Sequence, residues 1–287
     1  MSIDREKLKD IISTIAGKLK FRPAIVEKDY YLTIILNQIE TQLSERIVFK
    51  GGTLLNKIHL NYHRLSEDLD FTFHGQTRTR SERSKAIMPV REKMPEFLKA
   101  LGLASDKPEG EGFNNSTQYL FKLKYPSVFM EREESVKLEI SLRQPPLDKP
   151  VHNVIKHFYQ DPFTGEDLFA RGKVLSLSLN EAIAEKLKAA ITRKDVAIRD
   201  YYDLWYIAES EFDFYQANFT KLFRKKLSGD SYSGDYRKNF GLNADQLSLL
   251  RSQVDSHLMP VIRAGEKFDL EKVFEKFNQI LSDEKFN

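Results

Sequence analysis

The spacing of apolar residues divides the chain into a leading helical pair, a middle section rich in strands, and a closing run of helices. Leu8, Ile11, Ile12, Ile15 and Leu19 recur at intervals of three and four, the stripe of an amphipathic helix. Pro23 opens a second helix, in which Ile25, Tyr30, Leu32, Ile35, Leu36, Ile39 and Leu43 keep that period to about Leu43. Residues 46–50 are short, β-branched and aromatic, and they stop at Gly51-Gly52. Residues 53–60 then return to a helical pattern, so this stretch predicts strand, glycine turn, helix. Residues 68–73 (DLDFTF) alternate with period two, as in a strand with one wet face.

A helix is expected over 79–101, a loop over 102–116, and further strands over 118–125 and 136–143. In the last of these Val136, Leu138, Ile140 and Leu142 share one face, and Lys137, Glu139 and Ser141 share the other. Residues 144–173 carry Pro145, Pro146, Pro150 and Pro162 and read as an irregular connection. From Val174 the pattern changes to one short strand followed by helices near 180–192, 198–210, 215–227, 243–258 and 268–282. A boundary near residue 175 therefore divides the chain into domains of 1–175 and 176–287.

Composition narrows the classes without naming a function. At 287 residues, 41% hydrophobic and 30% charged, the chain is an ordinary globular protein, neither a disordered segment nor a mini-protein. A net charge of +3 leaves partner choice to local clusters. The absence of Cys removes disulfides, thiolate zinc sites, iron–sulfur clusters and Cys nucleophiles. The acidic start MSIDREKLKD and the lack of any run of about 18 apolar residues predict a cytoplasmic protein with no membrane partner.

The sharpest chemical feature is Asp68-x-Asp70. Period two puts both carboxylates on one strand face, roughly 7 Å apart at Cα. Such a pair suits a divalent metal shared with phosphate oxygens, although many D-x-D pairs are simply solvated strand edges. Upstream, Lys50-Gly51-Gly52-Thr53 sits at the strand-to-helix junction. Paired glycines there allow the backbone close to a phosphate, and the helix start offers unpaired N–H groups. Glu139, on the polar face of its strand, is a candidate third carboxylate, with a surface glutamate bridged to Lys137 or Arg143 as the alternative.

Further along, Lys186 lies beside Ala182, Ala189 and Ala190. It could approach a triphosphate or snorkel at the rim of the core. Asp200 and Asp203 lie three apart on one helix face and could orient a substrate or a lysine. His59 and His63 lack an H-E-x-x-H context and are assigned no metal.

Taken together, EKDYYLTIIL (27–36), FKGGTLLNK (49–57), RLSEDLDF (64–71), EKLKAAITR (185–193) and RDYYDLW (199–205) resemble the AbiEii/AbiGii-type nucleotidyltransferase toxins of the DNA polymerase β-like superfamily. The resemblance covers about residues 27–208. It implies an α+β fold with a polymerase β-like core on a mixed sheet and a helical C-terminal domain. It also implies use of an NTP and Mg²⁺, a tRNA 3′ end or other RNA acceptor, and restraint by an AbiEi-type antitoxin.

By position, the resemblance gives Gly51 and Gly52 the phosphate turn, assisted by Lys50 and Thr53, and gives Asp68 and Asp70 the metals. It places Ser66 beside the nucleotide, Lys186 at the triphosphate, Asp203 as the late essential carboxylate with Asp200 able to exchange roles with it, and Arg64 in loop structure. Two basic stretches fit an RNA acceptor: 76–93 and 215–240 each hold six basic against two acidic residues. In the second, Phe219, Phe223, Tyr232, Tyr236 and Phe240 could stack on bases or lie in the core.

Overall fold

The computed structural model describes residues 4–286 apart from Glu131 and Ser231. The chain separates into two compact units, dividing between Leu177 and Ser178.

The first unit carries strands β1 (Ile47–Lys50), β2 (Asp68–Phe73), β3 (Glu111–Phe113), β4 (Gln118–Pro126), β5 (Glu133–Ser141), β6 (Val151–Val154) and β7 (Lys173–Ser176). They form one mixed sheet in the order β3-β4-β5-β2-β1-β7-β6. β2 lies antiparallel to β1 and parallel to β5, while β7 runs parallel to β1. Ile47, Val48 and Phe49 of β1 are all buried, as expected of an inner strand covered on both faces. Leu69 and Phe71 of β2 are fully buried, whereas Asp68 and Asp70 on the opposite face stay partly accessible.

Among the described residues, helices α1 (Arg5–Leu19), α2 (Pro23–Gln38), α3 (Gly51–Leu54) and α4 (Arg80–Leu101) accompany the sheet. α1 starts where the Asp4 carboxylate accepts the Glu6 and Lys7 N–H groups, and it buries Leu8, Ile11, Ile12 and Ile15. α4 begins with a reciprocal Thr79–Glu82 capping box and buries Ile87, Val90, Met94, Phe97 and Leu98. α2 and α3 each run on into a π-helical turn, Ile39–Leu43 and Leu55–His59.

Two strands depart from the sequence reading. Residues 144–173 are not wholly irregular, because β6 lies within them and pairs antiparallel with β7. Its sequence VHNV sits at the sheet edge with Val151 and Val154 exposed, so it carries no alternating burial pattern to read. β3, inside the expected 102–116 loop, is a three-residue edge strand paired with β4, too short for any periodicity. β7 itself belongs to the first unit's sheet, with Ser176 in register with Phe49.

The second unit consists of α5 (Leu179–Thr192), α6 (Ile198–Glu209), α7 (Ala217–Ser228), α8 (Ala244–Gln253) with a π turn Val254–Leu258, and α9 (Leu270–Ser282). Its core is aromatic. Tyr201, Phe240 and Phe274 meet edge to face, and Phe214 packs on Phe219 and Phe277. Each such ring contributes about 1.5–3 kcal/mol by burial. For Phe219, Phe223 and Phe240 this decides the alternative left open in 215–240, because they are in the core and do not form a stacking surface, whereas Tyr232 and Tyr236 are half-buried. Lys226, counted among the basic residues of that stretch, is buried between Glu181 at 2.6 Å and Glu185 at 2.7 Å. Among the described residues no helix is long and apolar enough to cross a membrane.

Candidate active site

The site is assembled where β1 hands over to α3. At Gly51 the backbone takes φ +77°, a left-handed conformation that costs a residue with a side chain on the order of 1–2 kcal/mol. Space imposes the same choice. A Cβ on Gly51 would overlap the Asp70 carboxylate oxygen Oδ2 and stand 2.9 Å from Asp70 Cβ. A Cβ on Gly52 would come within 2.5 Å of Arg64 Nη2 and 3.6 Å of Ser66 Oγ. The glycine pair is therefore packed between the Asp70 carboxylate on one side and the Arg64–Ser66 loop on the other.

Pairing of β1 with β2 places Lys50 in register with Asp70. Thr53, buried at the start of α3, donates its hydroxyl to the main-chain carbonyl of Asp68, which ties the turn to the first residue of β2. Arg64 is buried and donates Nη1 to its neighbour's carbonyl, Leu65 O, at 2.8 Å, and Ser66 is also buried. Lys50, Gly51, Gly52, Thr53, Ser66, Asp68 and Asp70, separated by up to twenty positions in sequence, thus gather at one sheet junction. Two carboxylates on one strand face beside a glycine turn are a hard-oxygen donor set that fits a divalent cation such as Mg²⁺, with other positions left for phosphate oxygens and water.

Glu139 is the exception. It is in register with Asp70 on the parallel strand β5 and shares its face. Yet no group of three or more His, Cys, Asp or Glu side chains among the described residues is placed to hold one ion. Side chains on neighbouring strands stand roughly parallel, with about 4.8 Å between backbones, and need not converge. The structure makes Glu139 a neighbour of the pair and does not close a three-carboxylate set.

In the second unit Lys186 is paired with the two acids of the next helix. Its Nζ lies 2.7 Å from Asp200 Oδ1 and 2.9 Å from Asp203 Oδ2. Arg193 Nη1 meets the other oxygen of Asp200 at 2.9 Å. Asp203 is fully buried and Lys186 keeps one tenth of its side-chain surface accessible. The helical spacing of Asp200 and Asp203 thus aims both acids at one lysine.

The stretch 76–93 is only partly available to a partner. Arg83 donates Nε to Asn115 O and Nη1 to Arg78 O, and Arg91 donates Nε to Glu109 O while lying over the Tyr119 ring. Arg78, Arg80, Lys85 and Lys93 are exposed.

Sequence reasoning missed the group beneath the turn. Lys57 Nζ is completely buried and donates to Asp29 Oδ2 at 2.9 Å, Thr33 Oγ1 at 2.7 Å and the Tyr62 hydroxyl at 2.9 Å. Burial pulls the Lys57 pKa below its usual value, and the Asp29 charge opposes that shift. The only signal for this group was the presence of Asp29 and Lys57 within two of the quoted motifs.

Comparison with known proteins bears on family and fold. The sequence profile of the nucleotidyl transferase AbiEii toxin, Type IV TA system family matches residues 34–281. A search of curated proteins gives no match. Among solved structures the chain resembles MenT4, the nucleotidyltransferase toxin Rv2826c from Mycobacterium tuberculosis H37Rv, with 19% identity and a TM-score of 0.63 over 98% of this chain and 90% of that one. It also resembles an H. pylori protein assigned as a nucleotidyltransferase, with 17% identity and a TM-score of 0.51 over 91% and 94% of the two chains. At these identities the structures establish the fold, α+β on a mixed sheet. The family match spans most of the chain, which is therefore a member of the AbiEii nucleotidyltransferase toxin family of type IV toxin–antitoxin systems.

Proposed function

We propose that this toxin transfers a nucleoside monophosphate from an NTP to a hydroxyl of an RNA acceptor, the 3′ end of tRNA, with Mg²⁺ held by Asp68 and Asp70. The observation that supports the reading is the packing of Gly51 against the Asp70 carboxylate, which puts the glycine turn and the carboxylate side by side. In this reading Gly51, Gly52 and Thr53 let the backbone close around the triphosphate, Lys50 adds positive charge beside it, and Ser66 lies along the nucleotide. The metal, when bound, would lower the charge on the triphosphate and favour the deprotonated acceptor hydroxyl.

The acceptor oxygen then forms a bond to the α-phosphorus, the bond from that phosphorus to the β-phosphate bridging oxygen breaks, pyrophosphate leaves, and the hydroxyl proton goes to solvent. Lys186 and Asp203, with Asp200 able to exchange roles with Asp203, carry the family's late motif. Lys186, paired with Asp200 and Asp203, is the residue to which the resemblance assigns the triphosphate. The exposed cations Arg78, Arg80, Lys85 and Lys93, which flank the N-terminus of α4 and line its length, meet RNA phosphates. An AbiEi-type antitoxin restrains the activity in the cytoplasm.

The test is incubation of the purified chain with each α-labelled NTP and pools of total tRNA, protein and small molecules, with and without Mg²⁺. Label at tRNA 3′ ends that requires Mg²⁺ and disappears with Asp68→Ala supports the reading. Label confined to protein or small molecules overturns the RNA acceptor, and transfer of equal rate in chelator overturns the metal.

A further inference from the structure

The EKDY motif on α2 has no part in the chemistry above, yet its side chains pin three segments around the site. Successive helix residues point about 100° apart, so neighbours reach different parts of the chain. Glu27 accepts from Ser127 Oγ and the Val128 N–H, both at 2.6 Å, in the β4–β5 connection. Lys28 pairs at 3.7 Å with Glu67, the residue immediately before Asp68. Asp29 takes Lys57, which follows the glycine turn by one and a half turns of helix in the π turn Leu55–His59. The glycine turn and the metal strand are therefore both tied to α2.

We infer that Lys57 and Asp29 are positioning residues for nucleotide binding, holding the Gly51–Thr53 turn in register with Asp70. This rests on the reading of that turn as the phosphate site. All three Nζ protons of Lys57 are used, by Asp29, Thr33 and Tyr62. The acceptors are fixed in their turn: Thr33 Oγ1 donates to Asp29 O at 2.7 Å, and the Tyr62 hydroxyl donates to Lys156 O at 2.8 Å. The Tyr159 hydroxyl lies 2.9 Å from Asp29 Oδ2 and 2.8 Å from Val26 O.

A buried ion pair is a poor source of net stability, because the desolvation of both charges offsets their attraction, and apolar replacements of equal volume are often as stable or more so. What such a pair does supply is a single allowed position, since a buried ammonium must sit where its acceptors are. The position fixed here is that of the helical segment beginning at Gly51. From that segment Thr53 reaches the Asp68 carbonyl and Gly51 abuts the Asp70 carboxylate. π turns interrupt helices at a cost and recur at functional sites, which fits a segment shaped for placement.

The test replaces the pair by apolar groups, Lys57→Met with Asp29→Leu, and separately trims single acceptors with Thr33→Val and Tyr62→Phe. Nucleotide affinity is measured by calorimetry with a non-hydrolysable NTP and Mg²⁺, without acceptor, on protein whose melting transition remains cooperative. The expected result is binding about tenfold weaker in the double variant and severalfold weaker in each acceptor variant. In turnover with RNA, the KM for NTP rises and the KM for RNA does not. Should the double variant fail to fold, the two acceptor variants carry the decision alone. Nucleotide affinity equal to wild type in the folded variants overturns the inference. A wild-type chain that binds nucleotide and labels no RNA overturns the acceptor assignment instead, leaving the affinity comparison readable.

Discussion

Gly51 lies against the carboxylate of Asp70 so closely that the smallest side chain would displace it, and the same glycine holds a φ of +77°. Backbone strain and local packing therefore demand glycine at one position for two separate reasons. The second reason belongs to the chemistry, since the group that would be displaced is a metal carboxylate in the proposed mechanism.

Gly51→Ala is expected to cost about 1–3 kcal/mol of stability from the left-handed φ and the overlap with Asp70. It should lower nucleotidyl transfer at least a hundredfold in protein that is still folded, because Asp70 must move. Thermal melting followed by labelled-NTP transfer checks both, and a variant with wild-type transfer rate would refute the coupling of turn to carboxylate.

Adjacent residues of β2 should fail in opposite ways. Leu69 is completely buried, so Leu69→Ala is expected to cost about 2–5 kcal/mol in urea unfolding. Asp68→Ala removes a partly accessible side chain, so it should shift the midpoint little and abolish transfer and toxicity. Loss of stability in Asp68→Ala equal to that of Leu69→Ala would contradict the two-faced strand.

Glu27 supplies a pH dependence. Burial raises its pKa above the usual 4.5, outweighing the hydrogen bonds from Ser127 and Val128 that lower it. A carboxyl raised in the folded state binds its proton more tightly there than when unfolded. Its contribution is therefore fully present below about pH 4.5 and is lost as pH rises through the folded value. The unfolding free energy of wild type relative to Glu27→Gln should accordingly fall between pH 4 and pH 7. A difference that is flat or rises across that window would exclude the buried carboxyl as its source.

The cations near α4 are testable through the acceptor. Reversal of Arg80, Lys85 and Lys93 to Glu should raise the KM for tRNA about tenfold or more and leave nucleotide affinity unchanged. The salt dependence of RNA binding should become shallower, by about 0.7 in log–log slope for each single-stranded phosphate that the protein ceases to neutralise. Unchanged RNA binding would move the acceptor surface elsewhere.

Much of this protein was legible from residue order alone, and the reason is local. The alternation of residues 68–73 assigns Asp68 and Asp70 to one face because side-chain direction in a strand depends only on parity. The spacing around Leu8 and Ile12 marks a helix by the same kind of short-range rule. The glycine pair marked a turn, and the five motifs together identified the family.

Strand partners and the fate of charges lay beyond that reach. Nothing in the sequence period says that β1 pairs with β2 and brings Lys50 level with Asp70, or that β3 and β6 close the sheet edges, because those pairings join distant segments. Lys57 and Lys226 look in sequence like any surface lysine. They are buried because Asp29, Glu181 and Glu185 arrive from other helices to meet them. Parity placed Glu139 on the right face, but whether a third carboxylate converges on a metal depends on distances across the sheet, and the fold leaves it beside Asp70 without closing the set. The order of residues determined which groups could act; the pairing of remote segments decided which of them meet.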